Sequence, residues 1–232
     1  MILVDDVAAK LDRGDLAVFD ADGTLWANDV GEGFQAALIA EGVLSPAVDV
    51  EYLRLVKTDF AAAYTYATQA LAGLREDMVR ERGARFFESD FAPLIFPDMR
   101  ALVRALHVRG VDVHIASASN RWVVEAGASH FDIPPNRVHA MTVAVRRGVV
   151  TGELVPPAVT RDGKAQLIKE RLGGAPALVA GNSVNDLPMM RLATRVALAV
   201  NAESGADPKT GEDLAAEAKA RGWTMWTVNV GG

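Results

Sequence analysis

The stretch with the most chemical content is Asp20-Ala21-Asp22-Gly23-Thr24. Its two carboxylates stand two residues apart, immediately after the apolar run Leu16-Ala17-Val18-Phe19. A short apolar run without alternation, followed by Gly, reads as a buried strand entering a loop. Both acids then sit at the carboxyl end of a strand, the edge where open α/β sheets bind ligands. One carboxylate can attack an electrophile while the other handles a proton, as in an aspartyl-phosphate enzyme. Asp and Gly are also ordinary turn residues, so the pentapeptide alone equally describes a solvated strand-to-turn junction.

Three further places carry chemistry in the same sense. Ser117 and Ser119 follow Val113-His114-Ile115-Ala116. A hydroxyl at Ser117 can donate to a phosphate oxygen, and the next helix offers its first amides to the same anion; capping that helix is the alternative. Lys164, in Arg161-Asp162-Gly163-Lys164, falls at a helix start, where a cation opposes the helix dipole by about 0.3–1 kcal/mol. A phosphate-side role would account for that placement; a solvated surface lysine is the plainer reading. Asn182 and Asp186 flank a turn after Ala177-Leu178-Val179-Ala180. Oxygen donors near Asp20 suit Mg²⁺, and a turn with a helix cap is the alternative.

The elements that must position these residues alternate. Strands are expected over 16–19, 111–116, 138–141, 177–180, 196–200 and 224–228, with a hairpin over 143–151. Helices are expected over 5–13, 98–109, 121–129, 164–172 (capped by Asp162), 187–193 and 212–221. The intervening segment from Gly31 to about Phe91 shows only helical periodicity. Strand–helix alternation implies right-handed crossovers and a mainly parallel sheet. The expected fold is therefore α/β: a Rossmann-like core over residues 1–26 and 93–232, with an all-helical cap domain inserted over 27–92.

The chain has 232 residues, half of them hydrophobic, a net charge of -6 and no cysteine. That suits one large domain or a core plus an insert. An acidic chain lacks the basic face that nucleic acid or an acidic membrane requires, and disulfides and thiolate chemistry are excluded. No apolar run reaches membrane-spanning length, and the start lacks the basic region of a signal peptide. The expectation is a soluble, cytoplasmic protein. No pattern in the sequence fixes an oligomeric state.

Taken in order, Asp20 to Thr24, Ser117, Lys164 and Gly181-Asn182-Ser183-Val184-Asn185-Asp186 resemble the four motifs of the haloacid dehalogenase superfamily, across essentially the whole chain. With its early helical insert and the run continuing Leu187-Pro188-Met189-Met190, the chain is most similar to the phosphoserine phosphatase-like branch. The resemblance implies a Mg²⁺-dependent phosphatase acting on a small-molecule phosphate ester. A phosphotransferase or mutase of the same superfamily and a non-catalytic phospholigand-binding protein are the alternatives. It also implies roles. Asp20 attacks phosphorus, and Asp22 protonates the leaving oxygen and then activates water. Ser117 and Lys164 hold phosphate oxygens, with Ser119 beside them. Mg²⁺ binds Asp20, the Asp22 backbone carbonyl, Asn182 and Asp186. Dehalogenases lack an acid at the Asp22 position, so ester hydrolysis is favoured over dehalogenation.

Two departures stand out. The last motif usually begins Gly-Asp, and position 182 is Asn, which keeps a carbonyl oxygen but loses a charge; weaker Mg²⁺ binding is expected. Phosphoserine phosphatases carry a substrate-binding acid a few residues past the first motif, where Asp29 falls, and a cap Arg for the substrate carboxylate, where this chain has Ala67. Arg54, Lys57 and Arg75 read as helical surface charge. Tyr64 and Tyr66 read as core or interface aromatics, and His107, His114, His130 and His139 as structural.

Overall fold

The computed structural model describes residues 2–231; the chain ends at 1 and 232, named in the expected core boundaries, lie outside them. In chain order the elements begin with α1 (Ile2–Ala8) and β1 (Leu16–Phe19). Four helices follow without a strand: α2 (Val30–Ala40), α3 (Ala47–Thr58), α4 (Phe60–Gln69) and α5 (Glu76–Phe86). Then come α6 (Pro97–Val108), β2 (Asp112–Asn120), α7 (Arg121–Ser129), β3 (Val138–Met141), and the hairpin β4 (Val143–Arg146) and β5 (Val149–Leu154). The chain closes with α8 (Asp162–Arg171), β6 (Leu178–Gly181), α9 (Leu187–Met190), β7 (Val196–Val200), α10 (Leu214–Arg221) and β8 (Thr224–Trp226).

Six strands form one parallel sheet in the order β3-β2-β1-β6-β7-β8. β1 lies inside it, with Phe19 opposite both Ile115 of β2 and Ala180 of β6. Ala17, Val18 and Phe19 are fully buried, as a strand covered on both faces requires. The chain builds outward from β1 in one direction through β2 and β3, and in the other through β6, β7 and β8. The order reverses between β1 and β6, and such a switch point opens a crevice at the carboxyl ends of the strands. Asp20 and Asn182, the residues following those two strands, stand at that crevice.

The helical insert is anchored at several points. α2 and α5 rest on α7, and α4 rests on β2 and on the β4–β5 hairpin. The hairpin is stitched to the loop before α5 by Gly73 N–H donating to Val150 O (2.9 Å) and Glu76 N–H donating to Gly148 O (2.9 Å). A separate apolar cluster of Tyr52, Ala63, Tyr64 and Met141 joins the insert to the sheet. Among the described residues no helix is long and apolar enough to cross a membrane.

Three local expectations shift. β2 continues through Ser117 and Ser119 to Asn120, its ladder with β3 slipping between Ser117 and Asn120. Asn120 Oδ1 accepts from Val123 N–H (3.3 Å) and caps α7, which begins at Arg121 as expected. Asp162 does not cap α8; it lies in the first turn, and Arg161 stands at the cap with φ +40° and no side-chain capping bond. The first helix spans Ile2–Ala8 rather than 5–13, because the turn at Gly14 (φ +86°) takes up the following residues.

His114 and His139 stack across β2 and β3, with centroids 5.2 Å apart and Nδ1 to Nε2 at 2.9 Å. Burial, then the charges of His114 and Arg171, push the His139 pKa down to about 4. The native state then binds fewer protons than the unfolded chain between about pH 4 and 6.5, so stability falls as pH drops through that window. Substituting His139→Gln should flatten this loss. Urea midpoints of parent and variant at pH 7 and pH 4.5 test it, the variant losing less on acidification.

Candidate active site

Asp20 leaves β1 with its backbone N–H still bonded to Ala180 O (2.9 Å). Its side chain is only 6% exposed. Lys164 Nζ donates to Asp20 Oδ1 (2.6 Å) and to Asp186 Oδ1 (2.7 Å), and all three side chains are buried. Residues 144 apart in sequence thus meet because α8 begins, and β1 and β6 end, at the same crevice. Burial and the neighbouring charge of Asp186 push the Asp20 pKa up to about 7, partly offset by Lys164. Burial works against the Lys164 charge, but Asp186 and Asp20 outweigh it and hold its pKa above the ordinary lysine value. Two carboxylates share one ammonium, so the ionised triad is net negative.

The backbone around Lys164 is tightly determined. Gly163 permits the approach of α8: a Cβ there would overlap the Ala158 carbonyl. Arg161, at positive φ, is held by Glu212 (2.5 Å). Asp186 is fixed by a tight turn in which Ser183 and Asp186 form a capping box. Its Oδ2 accepts from Asn182 N–H (3.0 Å) and Ser183 N–H (3.2 Å), and its Oδ1 accepts from Lys164.

Asp22 is held differently. Oδ1 accepts from Trp26 Nε1 (2.8 Å) and Val30 N–H (2.8 Å), and Oδ2 accepts from Ser119 Oγ (2.7 Å). Burial, then the charges of Asp29 and Asp20, raise its pKa well above the usual carboxylate range. The two acids of the opening motif therefore have different surroundings: one pairs with a lysine, the other sits among neutral donors. That division is how paired carboxylates acquire distinct nucleophile and acid roles.

Asn182 bridges the two. In the orientation that its hydrogen bonds select, its amide nitrogen donates to Asp20 Oδ2 (3.2 Å) and to the Asp22 carbonyl (3.0 Å). Gly23, at φ +73°, leaves the room, since a Cβ there would overlap the Asn182 side chain. One carboxylate oxygen, one backbone carbonyl and one side-chain amide thus converge. These are hard oxygen donors once the amide turns over, and they fit Mg²⁺, which takes few protein carboxylates and keeps several waters. Among the described residues no three His, Asp or Glu side chains gather as a metal-holding group. Asp186, expected to contribute, has its oxygens engaged by Lys164 and two amides.

Of the remaining expected site residues, Ser119 and Asp29 join the cluster and Ser117 lies behind it. Asp29 caps α2 through Glu32 N–H (2.8 Å), accepts from the Tyr64 hydroxyl, and approaches Ser119 Oγ (3.5 Å). Ser117 is fully buried, its Oγ accepting from Ser119 N–H (3.1 Å), while the adjacent Ala118 faces the open cleft. That cleft, about 500 Å3, is bounded by Asp20, Asp22, Asp29 and Lys164, and also by Phe60 and Tyr64 of the insert and Glu203 of the loop after β7. Tyr64 is thus more than a core aromatic, whereas Tyr66 packs beside the Tyr52 cluster as expected. Phe60 and Tyr64 lie four apart on one face of α4, a spacing that a purely core-facing pair would share. Arg54 and Arg75 are exposed and paired with Glu51 and Asp77, as surface charge should be.

With this geometry in view, the comparisons with known proteins fall into place. Residues 17–191 match the haloacid dehalogenase-like hydrolase family, and the chain belongs to that family. It is 26% identical over 207 residues to a phosphoserine phosphatase of Mycobacterium tuberculosis, covering 87% of this chain but only 48% of that protein, so it spans about half the relative's length. It is 24% identical over 225 residues to a histidinol-phosphatase of Neisseria meningitidis, covering 90% of this chain and 97% of that one. A substrate-bound phosphoserine phosphatase structure shares the fold, with TM-score 0.59 and 16% identity over 91% of this chain and 99% of the other.

Removing the shared cation should be costly. Lys164→Met leaves two buried carboxylates facing each other, and breaking a buried pair in this way costs about 3–5 kcal/mol. The deficit should be largest near pH 8 and shrink towards pH 5, because the variant raises the Asp20 pKa further and its native state takes up a proton. Urea unfolding of parent and variant at both pH values measures this.

Proposed function

We propose that this chain hydrolyses a small-molecule phosphomonoester in two steps through a phosphoryl group carried on Asp20. The observation that carries the reading is the pairing of a lysine-bound Asp20 with an Asp22 that burial among neutral donors holds well above the ordinary carboxylate range. In the first step an Asp20 carboxylate oxygen attacks phosphorus, the bond to the alcohol oxygen breaks, and Asp22 gives that oxygen its proton. In the second, ionised Asp22 takes a proton from water as the water oxygen attacks phosphorus. Inorganic phosphate leaves and Asp20 is restored.

Lys164 offsets charge on the phosphoryl oxygens as they approach Asp20, and Ser117 and Ser119 carry hydroxyls at the same strand end. Ser119 and Trp26 keep the Asp22 carboxyl in place between the steps. Asp20, the Asp22 carbonyl and Asn182 are the residues that would hold Mg²⁺, which supplies charge neutralisation between the two anionic reactants. Asp186 serves as the anchor of Lys164. The curated relatives act, by name, on phosphoserine and on histidinol phosphate, and both are small phosphomonoesters; that likeness supports the substrate class.

Two measurements test the reading. Asp20→Asn should abolish release of phosphate from a panel of alkyl phosphates, and Asp22→Asn should leave a protein that accumulates one phosphoryl group, detectable by mass. Equal turnover by Asp20→Asn and parent would overturn it. Asn182→Asp restores a charge where the amide now bridges two oxygens. It should lower the Mg²⁺ concentration for half-maximal activity by about tenfold, on the order of 1.4 kcal/mol. It should also lower the melting temperature without metal and enlarge the rise on adding Mg²⁺. An unchanged half-saturation would remove Asn182 from the ligand set.

A further inference from the structure

A phosphoryl group approaching Asp20 brings anionic oxygens that need donors. Most donors around the cleft are already engaged. Lys164 directs two of its ammonium hydrogens at Asp20 and Asp186. The Tyr64 hydroxyl donates to Asp29, and Ser119 Oγ donates to Asp22 (2.7 Å). Ser183 Oγ donates to Asp186 Oδ2 (3.5 Å) and accepts from Asn185 N–H (3.3 Å). The Asn182 amide is taken up by Asp20 and the Asp22 carbonyl. Ser117 has no exposed surface and is not part of the cleft wall.

One hydroxyl of the wall is left over. Thr160 borders the cleft together with Asp20, Asp22 and Lys164. The residue is 5% exposed, yet among the described residues its Oγ1 bonds to no protein group and is not sealed from the cleft. Its backbone is engaged elsewhere. Thr160 N–H donates to Ala158 O (2.9 Å), and its carbonyl accepts from Gly163 N–H (2.7 Å). The side chain is therefore what this residue presents to the cleft.

The surroundings hold that hydroxyl in place and suit an anion. Val159, next to it, is buried with Leu167 and Ile168 of α8. Gly163 already lies against the Ala158 carbonyl, so the turn has no room to shift. Lys164 follows four residues after Thr160, in the first turn of α8. The cap of that helix carries no side-chain bond, so its positive end is open to a negative ligand. The amides of Asn28 and Asn185 also border the cleft, but Asn28 is exposed and Asn185 half-buried, and water competes for donors in such positions.

We propose that Thr160 is a further catalytic residue, its hydroxyl donating to a non-bridging oxygen of the phosphoryl group beside the remaining hydrogen of Lys164. The inference rests on the phosphatase reading and adds a ligand to its phosphoryl site. No bond is made or broken at Thr160. It touches the part of the substrate that every phosphomonoester shares, so its contribution is independent of the alcohol.

The test compares the Mg²⁺-loaded full chain with Thr160→Val, which removes the hydroxyl and keeps the branch, and Thr160→Ser, which keeps the hydroxyl. Inorganic phosphate, as a competitive inhibitor, probes the phosphoryl site without an alcohol. A hydrogen bond to a charged group is lost in Thr160→Val, and the phosphate inhibition constant should rise about tenfold. The kcat/KM for alkyl phosphates of different alcohols should fall by one common factor of at least tenfold. Thr160→Ser should stay within threefold of the parent on both counts. If Thr160→Val does not fold, Thr160→Ala is read in the same way. Unchanged phosphate inhibition, a loss that varies with the alcohol, or a serine variant as poor as the valine one would overturn the proposal. If the parent turns over no ester, the hydrolytic reading fails by itself, and calorimetry with inorganic phosphate on the same proteins decides. Binding at least fivefold weaker in Thr160→Val and restored in Thr160→Ser then upholds the assignment; equal binding, or none by the parent, overturns it.

Discussion

A single buried ammonium holds the reactive end of this molecule together. Lys164 is 2% exposed and lies between two carboxylates from opposite sides of the sheet's switch point. Burial of any one of these charges alone would be prohibitive, so β1, α8 and the turn after β6 must arrive at fixed positions or the cluster cannot form. The local backbone reflects that demand. Gly163 accommodates the Ala158 carbonyl, Gly181 accommodates the Asp186 side chain, and Arg161 accepts a positive φ. Such strained positions persist when their surroundings over-determine them.

The triad also explains how an asparagine can occupy position 182. With Asp186 drawn to Lys164 and to two backbone amides, it is the Asn182 amide that joins the Asp20 carboxylate to the Asp22 carbonyl. An aspartate at 182 would add a further anion to a group that already has more carboxylates than cations, and its repulsion would have to be met by a metal. The amide satisfies the same oxygens through its N–H2 group. The amide therefore leaves the site electrostatically quieter than a further carboxylate would.

Much of this could be read from the sequence. The parallel α/β core, the helical insert and the carboxyl-end placement of Asp20, Asp22, Lys164 and Asn182 follow from hydrophobic periodicity and motif order, because each depends on local pattern. What was illegible depends on distant partners. The approach of α4 to Asp29 is set by the β4–β5 hairpin, 83 residues on in the Gln69–Gly152 bond, so Tyr64 could not be distinguished from a core aromatic by helical spacing alone. Ser117 to Asn120 look like a strand-to-helix loop, yet pairing of β2 with β3 carries the strand through both serines to the Asn120 cap. The sequence does not say that Trp26 anchors Asp22, because nothing local distinguishes an indole that donates to a carboxylate from one that only fills a core.

These distant partners make the insert part of the chemistry. Tyr64 of α4 donates to Asp29, Asp29 lies against Ser119, and Ser119 donates to Asp22. Asp22 is therefore linked through three hydrogen-bonding side chains, Ser119, Asp29 and Tyr64, to a helix of the insert that lines the cleft. Moving α4 away would take a donor from Asp29, leave more negative charge beside Ser119 and alter the setting of Asp22. Burial under the insert favours a protonated carboxyl, and the donors Ser119 and Val30 oppose it. The insert thus reaches the surroundings of Asp22 through the Tyr64–Asp29 contact.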